Sequence, residues 1–206
     1  MKRTIRVFSL LLAAVMLLSA QALATEPAQA VTDVSKQDYF YDAVNWAVEK
    51  EITSGVSKDV FAPNRDCTRI DFVTFLWRAA GKPVVNYAMN FSDVKESSYY
   101  AEAVRWAASL GIVTGLSKNT FGAANAVTRE QMAAILFRYE QVKGLENVTL
   151  EENLNRFPDQ NKISAYAIPA LQWAVGQKII NGNADGTLDP TGTATREEVL
   201  RAWDEF

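Results

Sequence analysis

Three stretches of the sequence place small apolar residues and one tryptophan at the spacing of a helix face. In the first stretch these residues lie at positions i, i+1, i+3 and i+4, which share one side of a helix with 3.6 residues per turn. The three stretches are Ala43, Val44, Trp46 and Ala47; Ala103, Val104, Trp106 and Ala107; and Ala170, Leu171, Trp173 and Ala174. The pattern predicts three amphipathic helices that pack closely through alanine, with a tryptophan filling the remaining space.

A glycine, a loop and a second predicted helix follow each of these helices. The glycine suits a backbone with φ > 0 where the chain turns after a helix: Gly55, Gly115 and Gly182. Each loop carries one residue expected to point inward: Phe61, Phe121 and Leu188. The second helix begins at a Thr-Arg pair, in which the threonine is the predicted N-cap: Thr68, Thr128 and Thr195. Gln131 and Glu198 complete capping boxes, and Asp71 is a shorter variant.

The helix-loop-helix unit is an internal repeat. The first copy recurs at an offset of 60 residues, as in Trp46 and Trp106, and the third copy follows at an offset of 67, at Trp173. A fixed period indicates one structural unit stacked on copies of itself. We place repeat 1 at residues 31–83, repeat 2 at 91–144 and repeat 3 at 157–206, with an acidic linker at 145–156.

The beginning of the chain has the features of a signal peptide. Lys2, Arg3 and Arg6 precede an apolar stretch that ends at Leu18, and an A-x-A cleavage site ends at Ala24. We therefore predict a signal peptide at 1–24, a short tether at 25–30 and an exported protein. Cleavage would remove three basic residues and leave 182 residues with 18 basic and 24 acidic side chains, a net charge of −6.

Composition narrows the function further. A mildly acidic exported chain is a poor partner for nucleic acid or anionic lipid, and no second apolar segment predicts membrane insertion. The sequence contains no histidine and one cysteine, Cys67, which we interpret as a small buried hydrophobe. Asn181 starts a segment similar to a calcium loop, but Gly192 stands where the bidentate glutamate belongs. We expect no metal, no cofactor and no catalytic residues.

The strongest candidates for ligand binding are the arginines that open the second helices: Arg69, Arg129 and Arg196. A guanidinium beside the free N–H groups of a helix N-terminus suits bidentate capture of a carboxylate or phosphate. The same arginines are equally suited to pair with acidic residues of a neighbouring repeat. Both interpretations are open at this stage. Three aspartates precede the first helices and suit sugar hydroxyls, arginine pairing or turn capping: Asp33, Asp93 and Asp159.

These motifs together resemble the surface-layer homology (SLH) repeat. The resemblance rests on Phe91-Ser92-Asp93-Val94, on Gly111-Ile112-Val113-Thr114-Gly115 and on Thr128-Arg129-Glu130-Gln131, with counterparts in the other copies. It implies a mainly α fold, a pseudo-threefold helical prism with ligand grooves between repeats. It also implies that the motif Arg holds an acidic sugar, helped by the Asp, by Trp46, Trp106 and Trp173, and by the loop Gly.

The resemblance further implies a function and a location. We expect a non-catalytic, carbohydrate-binding module that attaches to the bacterial cell wall or S-layer. Its ligand would be secondary cell-wall polysaccharide or a peptidoglycan-linked glycan, often capped by a pyruvate ketal. The alternative is an envelope scaffold that docks another exported protein. One inserted residue between Asp159 and Tyr166 predicts that the third site departs most from the others.

Overall fold

The computed structural model describes residues 31–144 and 153–204, so the predicted signal peptide, the tether and most of the acidic linker lie outside the described residues. Within that part of the chain the fold is mainly α, with no β-sheet. The six α-helices are α1 Tyr41–Glu49, α2 Arg69–Ala79, α3 Ala101–Ser109, α4 Arg129–Val142, α5 Ile168–Gly176 and α6 Arg196–Asp204. Three short 3₁₀ helices precede α5: Leu154–Arg156, Gln160–Lys162 and Ala165–Ala167. The prediction of a first and a second helix in each copy is confirmed.

The starts of the second helices follow the predicted capping chemistry. The Thr68 hydroxyl accepts a hydrogen bond from the Asp71 N–H at 3.1 Å, and Thr128 forms a reciprocal capping box with Gln131. In the third copy, the Glu198 side chain accepts a hydrogen bond from the Thr195 N–H at 2.9 Å. Because each cap satisfies N–H groups that a helix cannot pair internally, it fixes where the helix begins.

Helices pack between repeats. Helix α2 of repeat 1 packs on α3 of repeat 2, α4 packs on α5, and α6 of repeat 3 packs back on α1 of repeat 1. The contacts therefore close on themselves in the order 1–2, 2–3, 3–1. This cyclic order favours the pseudo-threefold prism, which itself stays a prediction.

The core is formed by the apolar faces and loop residues that the sequence pattern indicates. The inward loop residues Phe61, Phe121 and Leu188 are fully buried. Trp106 and Trp173 are also buried, and the Trp106 ring meets Tyr139 edge-on at 6.0 Å between centroids. Burial of this kind removes large apolar surfaces from water, which is the main stabilising contribution in a fold of this size.

The segments just before the Thr-Arg pairs meet in a ring of backbone hydrogen bonds. The Cys67 N–H donates to the Ala194 carbonyl, the Ala194 N–H to the Val127 carbonyl and the Val127 N–H to the Cys67 carbonyl, each at 2.9 Å. Cys67 is fully buried, as predicted, and burial raises the pKa of its thiol. The three repeats are thus joined through main-chain atoms.

The expectation of φ > 0 at the loop glycines is correct at one position and wrong at two. Gly55 has φ of 79°, whereas Gly115 and Gly182 lie outside the left-handed region. A Cβ at Gly115 would come within 2.4 Å of the Ser117 carbonyl oxygen, and one at Gly182 within 2.8 Å of the Phe157 ring. Close approach, rather than backbone conformation, therefore requires glycine in repeats 2 and 3.

Candidate functional site

Arg69 extends from α2 into the loop and second helix of repeat 2. Its Nε donates to the Phe121 carbonyl at 3.1 Å, Nη2 to the Thr114 carbonyl at 2.9 Å and Nη1 to the Gln131 side-chain oxygen at 3.2 Å. The guanidinium lies 4.8 Å from the centre of the Phe121 ring. Only 4% of the residue is exposed. Burial lowers the pKa of Arg69, because the charged form loses solvation.

Arg129 makes the equivalent reach from repeat 2 into repeat 3. Its Nε donates to the Leu188 carbonyl at 2.9 Å and Nη2 to the Asn181 carbonyl at 2.7 Å. Its Nη1 meets a full carboxylate, Glu198 Oε1, at 2.7 Å. This junction therefore contains a close, largely buried ion pair.

Arg196 closes the set by reaching from repeat 3 into repeat 1. Its Nε donates to the Phe61 carbonyl at 3.0 Å and Nη2 to the Thr53 hydroxyl at 3.3 Å. Its Nη1 lies 3.7 Å from Asp71 Oδ2, a looser pair than that of Arg129. Burial lowers the pKa of Arg196, and the nearby Asp71 acts in the opposite direction.

The backbone N–H groups beside these arginines are occupied, so the expectation that they are free for an anion is wrong. The N–H of Arg69 donates to the Asn125 carbonyl at 2.8 Å, that of Arg129 to Gly192 at 2.9 Å and that of Arg196 to Arg65 at 2.9 Å. The loop of one repeat thus satisfies the helix N-terminus of another. These three N–H groups are therefore not available to a ligand.

Two junctions contain cavities lined by equivalent residues. The cavity beside Arg69, here called the Arg69 groove, has a volume of about 360 Å³. The cavity beside Arg196, the Arg196 groove, has a volume of about 160 Å³. Their matching wall residues are Arg69 and Arg196, Gly115 and Gly55, Gln131 and Asp71, Arg138 and Arg78, and Tyr166 and Tyr99. The corresponding place beside Arg129 is called the Arg129 junction.

Each groove thus combines a motif arginine with a second arginine and a tyrosine that we did not single out from the sequence. Arg138 donates only one long bond, 3.4 Å, to the Ile112 carbonyl. The tyrosines are substantially exposed, 65% for Tyr99 and 50% for Tyr166. The signal was present in the repeat: the tyrosine recurs at offsets 60 and 67, and the second arginine at offset 60. Only the fold shows that these side chains face one cavity.

The predicted aspartates hold the loops that present the grooves. Asp93 accepts hydrogen bonds from the N–H groups of Phe121, Gly122 and Ala123 at 2.7–3.0 Å. Burial acts to raise the pKa of Asp93, but these backbone donors outweigh it and hold the pKa below its usual value. Asp33 makes the same two-oxygen contact with Phe61 and Ala62 at 2.7–2.8 Å. Each carboxylate therefore fixes a loop of its own repeat.

Asp159 sits as its equivalents do, despite the inserted residue. It accepts from the N–H groups of Leu188 and Asp189 at 2.9 and 2.8 Å, and these bonds outweigh burial to lower its pKa. The predicted departure of this aspartate is therefore wrong. The 3₁₀ turns on either side of it accommodate the extra residue.

The tryptophans are placed in or against the core and are not among the described residues that line the two grooves. Trp106 and Trp173 are buried, and Trp46 is partly buried against the same core. Of the predicted site residues, the structure brings Arg69 together with Gly115, and Arg196 together with Gly55. Gly182 follows Asn181, whose carbonyl accepts from Arg129.

Comparison with known proteins identifies a family and several relatives. The sequence model of the S-layer homology domain family matches three segments of the chain, residues 32–73, 90–133 and 156–200. The chain is 33% identical to an endoglucanase of Bacillus sp. (strain KSM-635) over 169 residues, 81% of this chain and 17% of that protein. It is 31% identical to an amylopullulanase of Thermoanaerobacterium thermosulfurigenes over 79% of this chain and 9% of that protein.

A third relative is a surface-layer protein. The chain is 26% identical to the Surface-layer 125 kDa protein of Lysinibacillus sphaericus, over 78% of this chain and 13% of that protein. The chain therefore spans less than a fifth of the length of these three relatives. No helix among the described residues is long and apolar enough to cross a membrane. Domains of the matching family anchor proteins to the cell wall by binding its secondary polymers. This chain belongs to the S-layer homology domain family, carries three of its repeats and is accordingly an exported cell-surface protein.

Proposed function

We propose that this chain is a non-catalytic module that binds secondary cell-wall polysaccharide through the grooves at its repeat junctions. The observation that carries the proposal is the pair of equivalent cavities, each lined by two arginines and an exposed tyrosine. Guanidinium groups suit carboxylates because their planar N–H donors match the two oxygens. Exposed tyrosine rings supply a rigid face against which a sugar packs.

The dimensions and charge favour an acidic sugar. The Arg69 groove, at about 360 Å³, lies at the lower end of the range of small-ligand pockets, roughly 300–1,000 Å³. That space suits one saccharide unit of a longer chain. A pyruvate ketal adds one carboxylate to such a unit, and two arginines on the groove wall offer it opposite charge. We therefore propose pyruvylated polysaccharide as the ligand.

The predicted site residues then have two kinds of role. The motif arginines and loop glycines form the groove walls, where Arg69 and Arg196 support ligand contact directly. The aspartates and tryptophans act at a distance, because Asp93 holds the loop and Trp106 packs the helix that present the groove. Arg138 and Tyr166 join the first group.

Anchoring is proposed as the whole role of this segment. Similar segments occur in an endoglucanase, an amylopullulanase and a surface-layer protein, whose names share no reaction. A segment common to such different proteins is best explained by attachment to the same surface. We therefore propose no enzymatic activity for the three repeats.

The test is sedimentation of the protein with purified cell walls. We expect binding to intact pyruvylated walls, and loss of binding when the polysaccharide is stripped or when the walls lack pyruvate ketals. Arg138→Ala should weaken binding about tenfold or more, the effect of removing one charge-assisted contact. Lys82→Ala is the matched control, since Lys82 is half exposed and paired only with Glu51 at 3.6 Å, outside the grooves. Retention on stripped peptidoglycan would instead favour a scaffold that docks another envelope protein.

A further inference from the structure

The three junctions differ most at the third position of the second helix. This position carries Asp71, Gln131 or Glu198, and each side chain meets the Nη1 of the arginine from the preceding repeat. The separations are 3.7, 3.2 and 2.7 Å, respectively. One residue position therefore decides whether the junction arginine faces an acid or a neutral amide.

The Arg69 groove is the one whose arginine faces an amide. Its wall contains two cations, Arg69 and Arg138, and no carboxylate. Three of the five N–H donors of Arg69 are used by Phe121, Thr114 and Gln131, which leaves two for a ligand. Burial lowers the pKa of Arg69, because the charged form loses solvation. An anion in this groove would restore the missing charge balance.

Gln131 also offers a donor to such an anion. Its side-chain oxygen accepts from Arg69 Nη1 at 3.2 Å and from the Thr128 N–H at 3.4 Å. These two bonds leave the amide N–H₂ of Gln131 available beside the guanidinium. A glutamate here would remove that donor and place a negative charge at the same point.

The Arg129 junction presents the opposite arrangement. Glu198 uses one oxygen to bind Arg129 at 2.7 Å and the other to accept from the Thr195 N–H at 2.9 Å. An incoming carboxylate would meet a carboxylate already seated on the guanidinium, and like charges in a partly buried site repel strongly. The Arg196 groove is intermediate, with Asp71 at 3.7 Å and a cavity less than half as large.

We propose that Gln131 makes the Arg69 groove the principal anion-binding groove of this chain, and that Glu198 closes the Arg129 junction to anions. The proposal rests on the proposed function, because it assigns the acidic sugar to one of three related junctions. It predicts one strong binding event per chain for a saccharide that carries a single carboxylate.

The experiment uses two nearly isosteric substitutions of opposite sign, Gln131→Glu and Glu198→Gln, in the full chain. Both glutamine and glutamate support the capping box, as Gln131 and Glu198 themselves show, so both variants should fold. The probe is a hexosamine carrying a pyruvate ketal, with its methyl ester as the neutral counterpart. Binding is measured by titration calorimetry and folding by thermal unfolding.

We expect one site in the unsubstituted chain, with the acid binding more tightly than the ester. Gln131→Glu should weaken binding of the acid at least tenfold and remove the preference over the ester, with no loss of thermal stability. Glu198→Gln should leave the affinity of that site unchanged. Unchanged affinity in Gln131→Glu, or a loss confined to Glu198→Gln, would overturn the assignment while leaving wall binding intact. If the unsubstituted chain bound neither the probe nor the walls, the proposed function itself would be overturned.

Discussion

The three repeats contact one another in two regions, the ring of backbone hydrogen bonds and the grooves. The ring joins the repeats through main-chain atoms, whereas the grooves join them through side chains. In the ring, Cys67, Val127 and Ala194 differ as side chains yet form identical backbone bonds of 2.9 Å. In the grooves, Asp71, Gln131 and Glu198 differ and give three different contacts. Main-chain bonds tolerate divergence of the repeats, whereas side-chain contacts change with every substitution. Closure of the fold is therefore preserved while the chemistry of each junction varies.

The motif arginine combines a contact that joins two repeats with a contact in the groove. In all three copies its Nε donates to a loop carbonyl at 2.9–3.1 Å, which holds two repeats together. Its Nη1 meets the variable residue of the groove. The two interpretations that the sequence left open, a clasp between repeats and a ligand contact, thus apply to different nitrogens of one side chain. Substituting the arginine removes the contact between repeats and the groove contact together. Substituting its partner, Asp71, Gln131 or Glu198, changes the groove contact and leaves the Nε bond in place.

The largest expected effect comes from opening the ring. Deletion of residues 146–206 removes repeat 3, so α1 loses α6, and Cys67 loses the Ala194 carbonyl. Because each repeat buries its apolar face mainly against its neighbours, we expect the remnant to lose cooperative unfolding. Circular dichroism during heating would show a broad, early transition. A sharp transition at the original temperature would mean that repeats 1 and 2 fold without closure.

A smaller but still large effect is expected at the Arg129 junction. Arg129→Ala leaves the partly buried Glu198 without its cation and removes two bonds to loop carbonyls, so it should cost about 3 kcal/mol in the free energy of unfolding. Trp106→Ala, which truncates a buried aromatic, should cost about the same. Denaturant titrations of both variants compare them directly.

A control variant shows whether the loss of stability is specific to an arginine that joins two repeats. Arg138→Ala serves as the control, since its single bond of 3.4 Å predicts a change in stability of about 0.5 kcal/mol or less. Full stability in Arg129→Ala would mean that this arginine does not join the repeats.

Most of the fold could be predicted from the sequence because its signals are local. The 3.6-residue spacing around Trp46 and the Thr-Arg starts such as Thr128-Arg129 depend only on neighbouring residues. Because the unit is repeated, each helix predicted in one copy was also predicted in the other two. These features located all six α-helices of the described residues, the buried Trp106 and Trp173, and the buried Cys67.

The errors and omissions concern contacts that depend on how the loops and repeats meet in the fold. The N–H of Arg69 is not free, because the Asn125 carbonyl from repeat 2 accepts from it. Tyr166 lines a groove with Arg69, although 97 positions separate them and one lies in repeat 3. Gly115 requires glycine because of carbonyl oxygens brought close by its loop. Periodicity shows which side of a helix is apolar, but it does not show what that side or its loops meet.

The smallest expected effect tests the loops that support the grooves, through pH. The pKa of Asp93 is lowered because three backbone N–H donors outweigh burial. A carboxyl group with a lowered folded-state pKa contributes stability above its unfolded value of about 3.9, and this stability is lost as the pH falls through the folded-state pKa. Asp93→Asn should therefore cost about 1–3 kcal/mol at pH 7 and flatten the fall of the melting temperature below about pH 5.

Asp42→Asn, on the exposed side of α1, is the matched control and should change neither quantity appreciably. The Arg69 groove should respond with the loop, since Asp93 binds the N–H groups of Phe121 and Gly122, and the Phe121 carbonyl accepts from Arg69. Binding of the acidic saccharide by Asp93→Asn should therefore weaken at pH 7 even where the protein remains folded. If the melting temperatures of Asp93→Asn and of the unsubstituted chain fell equally from pH 7 to pH 3, this carboxylate would not hold the loop. The shape of the groove would then depend on the other contacts of the loop, such as the bond from Arg69 Nε to the Phe121 carbonyl.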